Sequence, residues 1–150
     1  MQGPNEKTRP ALDQEERERF LAGRRNAVLA TNRPNGPPHV TTVWYLWTGQ
    51  DFYISTRRDR YKYRNLQRDP RVTLCIDDPM AFTSVIVEGH VEFIEADIWD
   101  TTRTIVERYV DKPFAERMMA RMRLEPRVLL VVHPEKWLSW DISRAVLPLV

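Results

Sequence analysis

The ten residues 38–47, Pro-His-Val-Thr-Thr-Val-Trp-Tyr-Leu-Trp, constrain the fold more than any other stretch. They read as one extended strand, and alternation sorts them into two sets. Val40, Thr42, Trp44 and Leu46 share one face, and His39, Thr41, Val43, Tyr45 and Trp47 take the other. Both sets are apolar or hydroxylic, so neither face suits bulk water. A closed barrel resolves this, with one face turned inward and the other set against a partner. Asn35-Gly36 before the run and Thr48-Gly49-Gln50 after it are turn residues, which points to antiparallel neighbours.

The rest of the chain continues that pattern. Asp13, with Glu16 three residues on, starts a helix as a capping-box variant, and Gly23 ends it. Residues 27–31 form a strand, and 51–56 another. A short helix follows, capped by Asp59 and stopped by Pro70, and then a strand over 72–77. Residues 82–95 are long for one strand, and Gly89 marks a bend or bulge within them. Ile98, Thr102, Ile105, Val106 and Tyr109 lie on one face of a helix over 96–110, and Pro113 opens a second that runs to about Leu124. Two further strands cover 128–132 and 136–141. The expectation is a mainly β fold with peripheral helices: six or seven antiparallel strands closed into a small barrel. Residues 13–150 make one domain, and residues 1–12, polar and charged at their start, a flexible tail. The hairpin order excludes a βαβ nucleotide fold, and five glycines provide no Gly-rich phosphate loop.

The order of the charges is more informative than their total. Between Arg57 and Arg71 stand seven bases against two acids, whereas the whole chain nets only +2. The positive charge is therefore local. Ser55 and Thr56 precede it at the end of a strand, and a helix starts within it. Hydroxyls, cations and unpaired first-turn amides together suit an anion. The same run also reads as a solvated helix face, or, with Tyr61 and Tyr63 interleaved, as a nucleic-acid contact. The net negative charge of the remaining chain opposes a broad nucleic-acid surface. No apolar run approaches the roughly twenty residues of a membrane span, and the amino terminus carries no h-region. The single Cys75 excludes an internal disulfide, reads as a buried inert thiol and fits a cytoplasmic setting. His39, His90 and His133 are far apart in sequence, none with a partner at ligand spacing, so no metal site is expected.

Four pieces of sequence carry a resemblance: Ala30-Thr31 with Asn35-Gly36-Pro37-Pro38-His39-Val40; Val43-Trp44-Tyr45; Ser55-Thr56 with Arg60, Lys62, Asn65-Leu66 and Asp69-Pro70-Arg71-Val72; and Val87-Glu88-Gly89-His90-Val91. In this order they resemble the FMN-binding split-barrel superfamily, the pyridoxamine 5′-phosphate oxidase-like proteins. Within it the chain is most similar to the actinobacterial branch that uses the deazaflavin coenzyme F-420. The resemblance implies a homodimer with the cofactor in a groove between two barrels. It implies that Ser55, Thr56, Arg60 and Lys62 hold the cofactor phosphate, and that His39, Val40, Thr41 and Thr42 line its ring. Arg57, Arg58 and Arg64 become candidates for the anionic tail, and Phe82, Trp137 and Trp140 for the substrate side, reached in part from the partner chain. Hydride transfer needs no acid–base dyad, because the reactive carbon belongs to the cofactor. The implied activity passes a hydride from reduced F-420 to an electron-poor small molecule. An FMN-dependent oxidase or reductase and a non-catalytic carrier are the alternatives on the same scaffold.

Overall fold

A computed structural model describes residues 11–144. Its elements are α1 (Gln14–Ala22), β1 (Ala27–Thr31), β2 (His39–Val43), β3 (Leu46–Trp47), β4 (Phe52–Arg57), α2 (Tyr61–Arg68), β5 (Arg71–Asp78), β6 (Thr83–Ile94), α3 (Trp99–Tyr109), α4 (Lys112–Met122) and β7 (Arg127–Asp141). All seven strands join one antiparallel sheet in the order β2-β1-β5-β6-β7-β4-β3. The sheet curls into a half-barrel around Leu29, Phe52, Ile54, Leu74, Ile76, Val87 and Leu130, all fully buried.

The run 38–47 is not one strand. It divides into β2 and β3, which form the two opposite edges of the sheet. The cause lies in α3. The backbone N–H of Tyr45 donates to the Tyr109 hydroxyl at 3.2 Å, and Trp44 stacks flat on the Tyr109 ring at 4.7 Å. Tyr45 itself is fully buried, and its hydroxyl donates to the Leu21 carbonyl at 2.9 Å. A helix side chain thus takes a backbone partner that a neighbouring strand would otherwise hold, and the barrel is left split at this seam.

The two expected strands over 128–132 and 136–141 are, by contrast, a single β7. Pro134 has no N–H to contribute, and the ladder absorbs this with a register shift: Gly89 pairs with Pro134 while Glu88 pairs with Lys136. Gly89 is required there, because a Cβ would stand 2.2 Å from the His133 carbonyl oxygen.

Both faces of β7 are buried from Val128 to Val132. The inner face joins the barrel core. The outer face is covered by α3, where Ile98 and Ile105 pack on Leu129 with Trp44 and Tyr53 at the margin. In turn α4 packs on α3 through Ala115, Met119 and Met122 against Val106. The capping box of α1 is complete: Asp13 Oδ1 accepts from the Glu16 N–H at 2.8 Å, and Glu16 Oε1 from the Asp13 N–H at 3.4 Å. Gly23 ends the helix in extended backbone, with φ −71°, so no left-handed turn is involved. Leu12, assigned to the tail, packs on the core, and its N–H donates to Ser139 Oγ. Cys75 is only half-buried, and burial together with Asp77 raises its pKa and keeps the thiol protonated.

Leu66 anchors α2 in the core, and Asn65 fixes its rotation. Buried Asn65 donates from Nδ2 to the Thr31 hydroxyl at 3.1 Å. Asn65→Ala breaks this bond and leaves the hydroxyl buried without its partner. The expected cost is about 1–3 kcal/mol, read as a fall of several degrees in melting temperature.

Candidate functional site

The end of β4, the edge strand β2 and the amino-terminal turn of α2 converge on a groove. Its first segment, about 320 Å³, has a polar side formed by Asn26, Ser55, Thr56, Arg60, Lys62 and Arg127. Its apolar side is formed by Trp44, with Ile105 and Val106 of α3 and Met118 and Met122 of α4. A second segment, about 580 Å³, runs along His39, Thr41, Thr42 and Tyr61 and shares Arg60 and Lys62 with the first. A third, about 670 Å³, continues past His39 and Tyr61 to Arg33, Asn35, Arg64 and Arg68. The shared residues join the three segments into one groove.

The start of α2 is built differently from the sequence expectation, and the difference suits an anion. Asp59 does not cap the helix. Arg57 holds its carboxylate with two bonds, Nε to Oδ1 at 2.9 Å and Nη2 to Oδ2 at 2.5 Å, and so draws it away from the helix amides. The cap position falls to Arg60, whose side chain accepts nothing. The first-turn amides therefore have no side-chain acceptor, and the helix dipole adds to the positive potential. Arg57 lines the groove but is engaged by Asp59 and, at 3.8 Å, by Glu125. Arg60 and Lys62 have no carboxylate partner among the described residues.

This concentration of charge is costly to the protein without an anion. Burial lowers the Lys62 pKa, and repulsion from Arg60 and Arg127 lowers it further. His39 is also held below its ordinary value, by burial first and then by Arg33 and Lys62. Three polar atoms along the groove are buried without a hydrogen-bond partner: His39 Nδ1, Thr41 Oγ1 and Ser55 Oγ. Each such atom costs about 1–3 kcal/mol, which a bound polar ligand would recover. The donors therefore fit a phosphate and a polar ring edge. As an edge strand, β2 also leaves alternate backbone N–H and C=O groups unpaired toward the groove.

An anion placed here must raise the His39 pKa, since it opposes the two cations that depress it. The bound state then holds more protons than the free state near and below pH 6.5, and linkage requires affinity to rise as pH falls through that range. Calorimetric titration with inorganic sulfate, whose charge is the same at pH 5.5 and 7.5, should show tighter binding at the lower pH. His39→Gln should flatten the difference.

Of the residues singled out from the sequence, Ser55, Thr56, Arg60, Lys62, His39, Thr41 and Thr42 are brought together in the first two segments, and Arg64 lines the third. Val40 is exposed on the sheet edge and lines none of the three. Arg58 also lines none; its backbone N–H donates to the Pro126 carbonyl at 2.8 Å. Phe82, Trp137 and Trp140 lie outside the groove. Trp137 packs edge-on against Trp47 and under Arg17, joined to the barrel core. Phe82 is exposed in left-handed backbone at φ 54°. Asn26, Arg127 and the methionines of α4 escaped the sequence reading. Arg127 reaches the site because it pairs with Arg57 across β4 and β7, a contact between residues distant in the chain.

The sequence profile described as pyridoxamine 5′-phosphate oxidase matches residues 13–141. The chain belongs to that family. Among solved structures it is similar to an F420 reductase, at 29% identity with a TM-score of 0.66, over 80% of this chain and 94% of that one. It is also similar to the conserved hypothetical protein Rv2991 from Mycobacterium tuberculosis, at 27% identity with a TM-score of 0.75, over 100% of this chain and 96% of that one. A FAD-binding protein from Mesorhizobium loti shares the fold at 18% identity and a TM-score of 0.62, over 86% of this chain and 94% of that one.

Proposed function

We propose that the protein is an oxidoreductase that takes coenzyme F-420 in this groove and passes a hydride to an electron-poor small molecule such as an activated enone, a quinone or a nitro compound. The observation that carries the reading is the pairing of two unneutralised cations, Arg60 and Lys62, with the unsatisfied hydroxyl of Ser55 at the uncapped start of α2. The likeness to an F420 reductase supports it.

Ser55, Thr56, Arg60 and Lys62 would hold the phosphodiester, with charge-assisted bonds worth about 1.5–3 kcal/mol each. Arg33, Arg64 and Arg68 gather positive charge at the far segment, which favours a cofactor with carboxylates as well as a phosphate over FMN with its single anionic group. His39, Thr41 and Thr42 offer donors and acceptors to the polar edge of a ring. Trp44 and the α4 methionines wall off water on the apolar side. When bound, the reduced deazaflavin supplies the hydride; the protein binds, orients and excludes solvent. On this reading the working unit is a cytoplasmic homodimer in which Phe82, Trp137 and Trp140 approach the substrate from the partner chain.

Titration of the protein with F-420 and with FMN, followed by tryptophan fluorescence, tests the cofactor. Micromolar binding of F-420 without FMN binding supports the proposal, and the reverse selects the flavin enzyme. Binding of neither removes both. A binder of F-420 that reduces no member of an acceptor panel is a carrier.

A further inference from the structure

At the other end of β4 the fold assembles a second cluster of chemically capable residues, independent of the groove. His90 on β6 and His133 on β7 stand directly opposite each other, and their ring centroids are 5.0 Å apart. Glu92 lies two residues along β6 on the same face as His90. One ligand atom from each of His90, Glu92 and His133 falls within 4.8 Å of the others. Their distance in sequence had argued against a metal site; the β6–β7 pairing brings them together.

Three features favour a cation over a simple ion cluster. Each imidazole is oriented by a carboxylate on Nδ1: Glu135 lies 2.6 Å from His90 Nδ1, and Asp51 lies 2.7 Å from His133 Nδ1. With Nδ1–H donated in this way, Nε2 of each ring carries the free lone pair, the carboxylate–histidine arrangement that metal sites use to fix tautomer and raise basicity. His133 Nε2 is buried and has no hydrogen bond, so its lone pair is unspent. It stands 3.4 Å from Glu92 Oε2. That is long for a good hydrogen bond but is about the separation of two ligands that hold one ion at 2.0–2.1 Å in tetrahedral geometry. Asp51, Glu92 and Glu135 place three carboxylates around the two imidazoles, and the cation opposite His90, Arg71 on β5, is engaged by Asp69, so the cluster attracts a dication. Glu135 owes its position to the register shift beside Gly89, where one extra β7 residue is accommodated.

We propose that His90, His133 and Glu92 form a binding site for a divalent first-row transition ion, with Asp51 and Glu135 positioning the two imidazoles. Two histidines and one carboxylate complete three positions, and solvent reaches the rest because the Glu92 side chain is 70% exposed. Four to five strand residues separate Asp51 from Ser55 and Thr56, about 15 Å along β4. The ion therefore lies away from the phosphate anchor and ties β6, β7 and the head of β4 together.

The test uses untagged full-length protein at pH 7.5, titrated calorimetrically with Zn(II) and, in parallel, with Co(II) followed by its visible absorption. One Zn(II) per chain at micromolar or tighter affinity is expected. Glu92→Gln and His133→Gln should each weaken it by about tenfold or more, and Asp51→Asn by about tenfold. Cys75→Ser should leave it unchanged. Glu92 is exposed, so Glu92→Gln keeps the fold, and melting in EDTA confirms this for each variant. If His133→Gln fails to fold, Glu92→Gln decides alone. Lack of stoichiometric binding would mean that the cluster is an imidazolium held between carboxylates, and overturns the proposal. Binding undiminished in both ligand variants, or lost with Cys75→Ser, overturns it as well.

Discussion

Lys62→Ala weakens F-420 binding by more than tenfold and leaves the melting temperature unchanged or slightly higher. The two halves of this expectation have one origin. The Lys62 ammonium is partly desolvated and is repelled by Arg60 and Arg127, so the folded protein gains nothing from its charge when the groove is empty. A phosphodiester converts the same charge into a charge-assisted bond, worth about 1.5–3 kcal/mol, and each 1.4 kcal/mol is a factor of ten in affinity. Binding and stability are therefore expected to move independently. Fluorescence titration and thermal melting of the same preparation check both. A large loss of stability with unchanged affinity would make Lys62 a structural residue and move the phosphate elsewhere.

Gly89→Ala has the opposite signature. A Cβ at this position meets the His133 carbonyl oxygen at 2.2 Å and its carbon at 3.0 Å, both backbone atoms of the neighbouring strand. No side-chain rotation relieves that contact, and β6 or β7 must move in the middle of the sheet. The expected loss is about 3 kcal/mol, or roughly 10 °C in melting temperature. Gly49→Ala is the internal comparison. Gly49 sits at φ +93° with nothing within 4 Å of a Cβ, so that change carries backbone strain without collision and costs about 1–2 kcal/mol. Equal losses in the two variants would show that collision at Gly89 is not what the sheet resists.

Signals confined to a few neighbouring residues were legible in the sequence. The Asp13–Glu16 capping box, the limits of β1 and the bulge at Gly89 all depend on local chemistry and stand where that chemistry placed them. The failures share a different cause. Asp59 had the residue type of a helix cap, but Arg57, two residues earlier, took its carboxylate. The run 38–47 contains no glycine or internal proline to mark its division, because the break is imposed by Tyr109, 64 residues further on. Residues 133–135 separated two expected strands, yet a glycine on the opposite strand let β7 run through them with a register shift. The candidate site follows the same rule. Ser55, Thr56, Arg60 and Lys62 are close in sequence and could be read as a group. Arg127 and the α4 methionines come from other elements, and the His90–His133 pairing depends on register between strands.

The division of residues 38–47 also bears on how the chain finds its shape. Two short hairpins, β1 with β2 and β3 with β4, form from nearby residues and share the two-residue link Trp44-Tyr45. Once both exist, the two rims of the future half-barrel are already tethered, and bringing them together needs no further loop closure. The remaining entropic barrier is concentrated in the pairing of β4 with β7, where Phe52 must meet Val132, 80 positions further along the chain, in register. The seam that opens the barrel in the finished protein is thus also the covalent tether between its two rims, and the β4–β7 ladder, one strand in from the β3 edge, is the pairing with the largest loop to close.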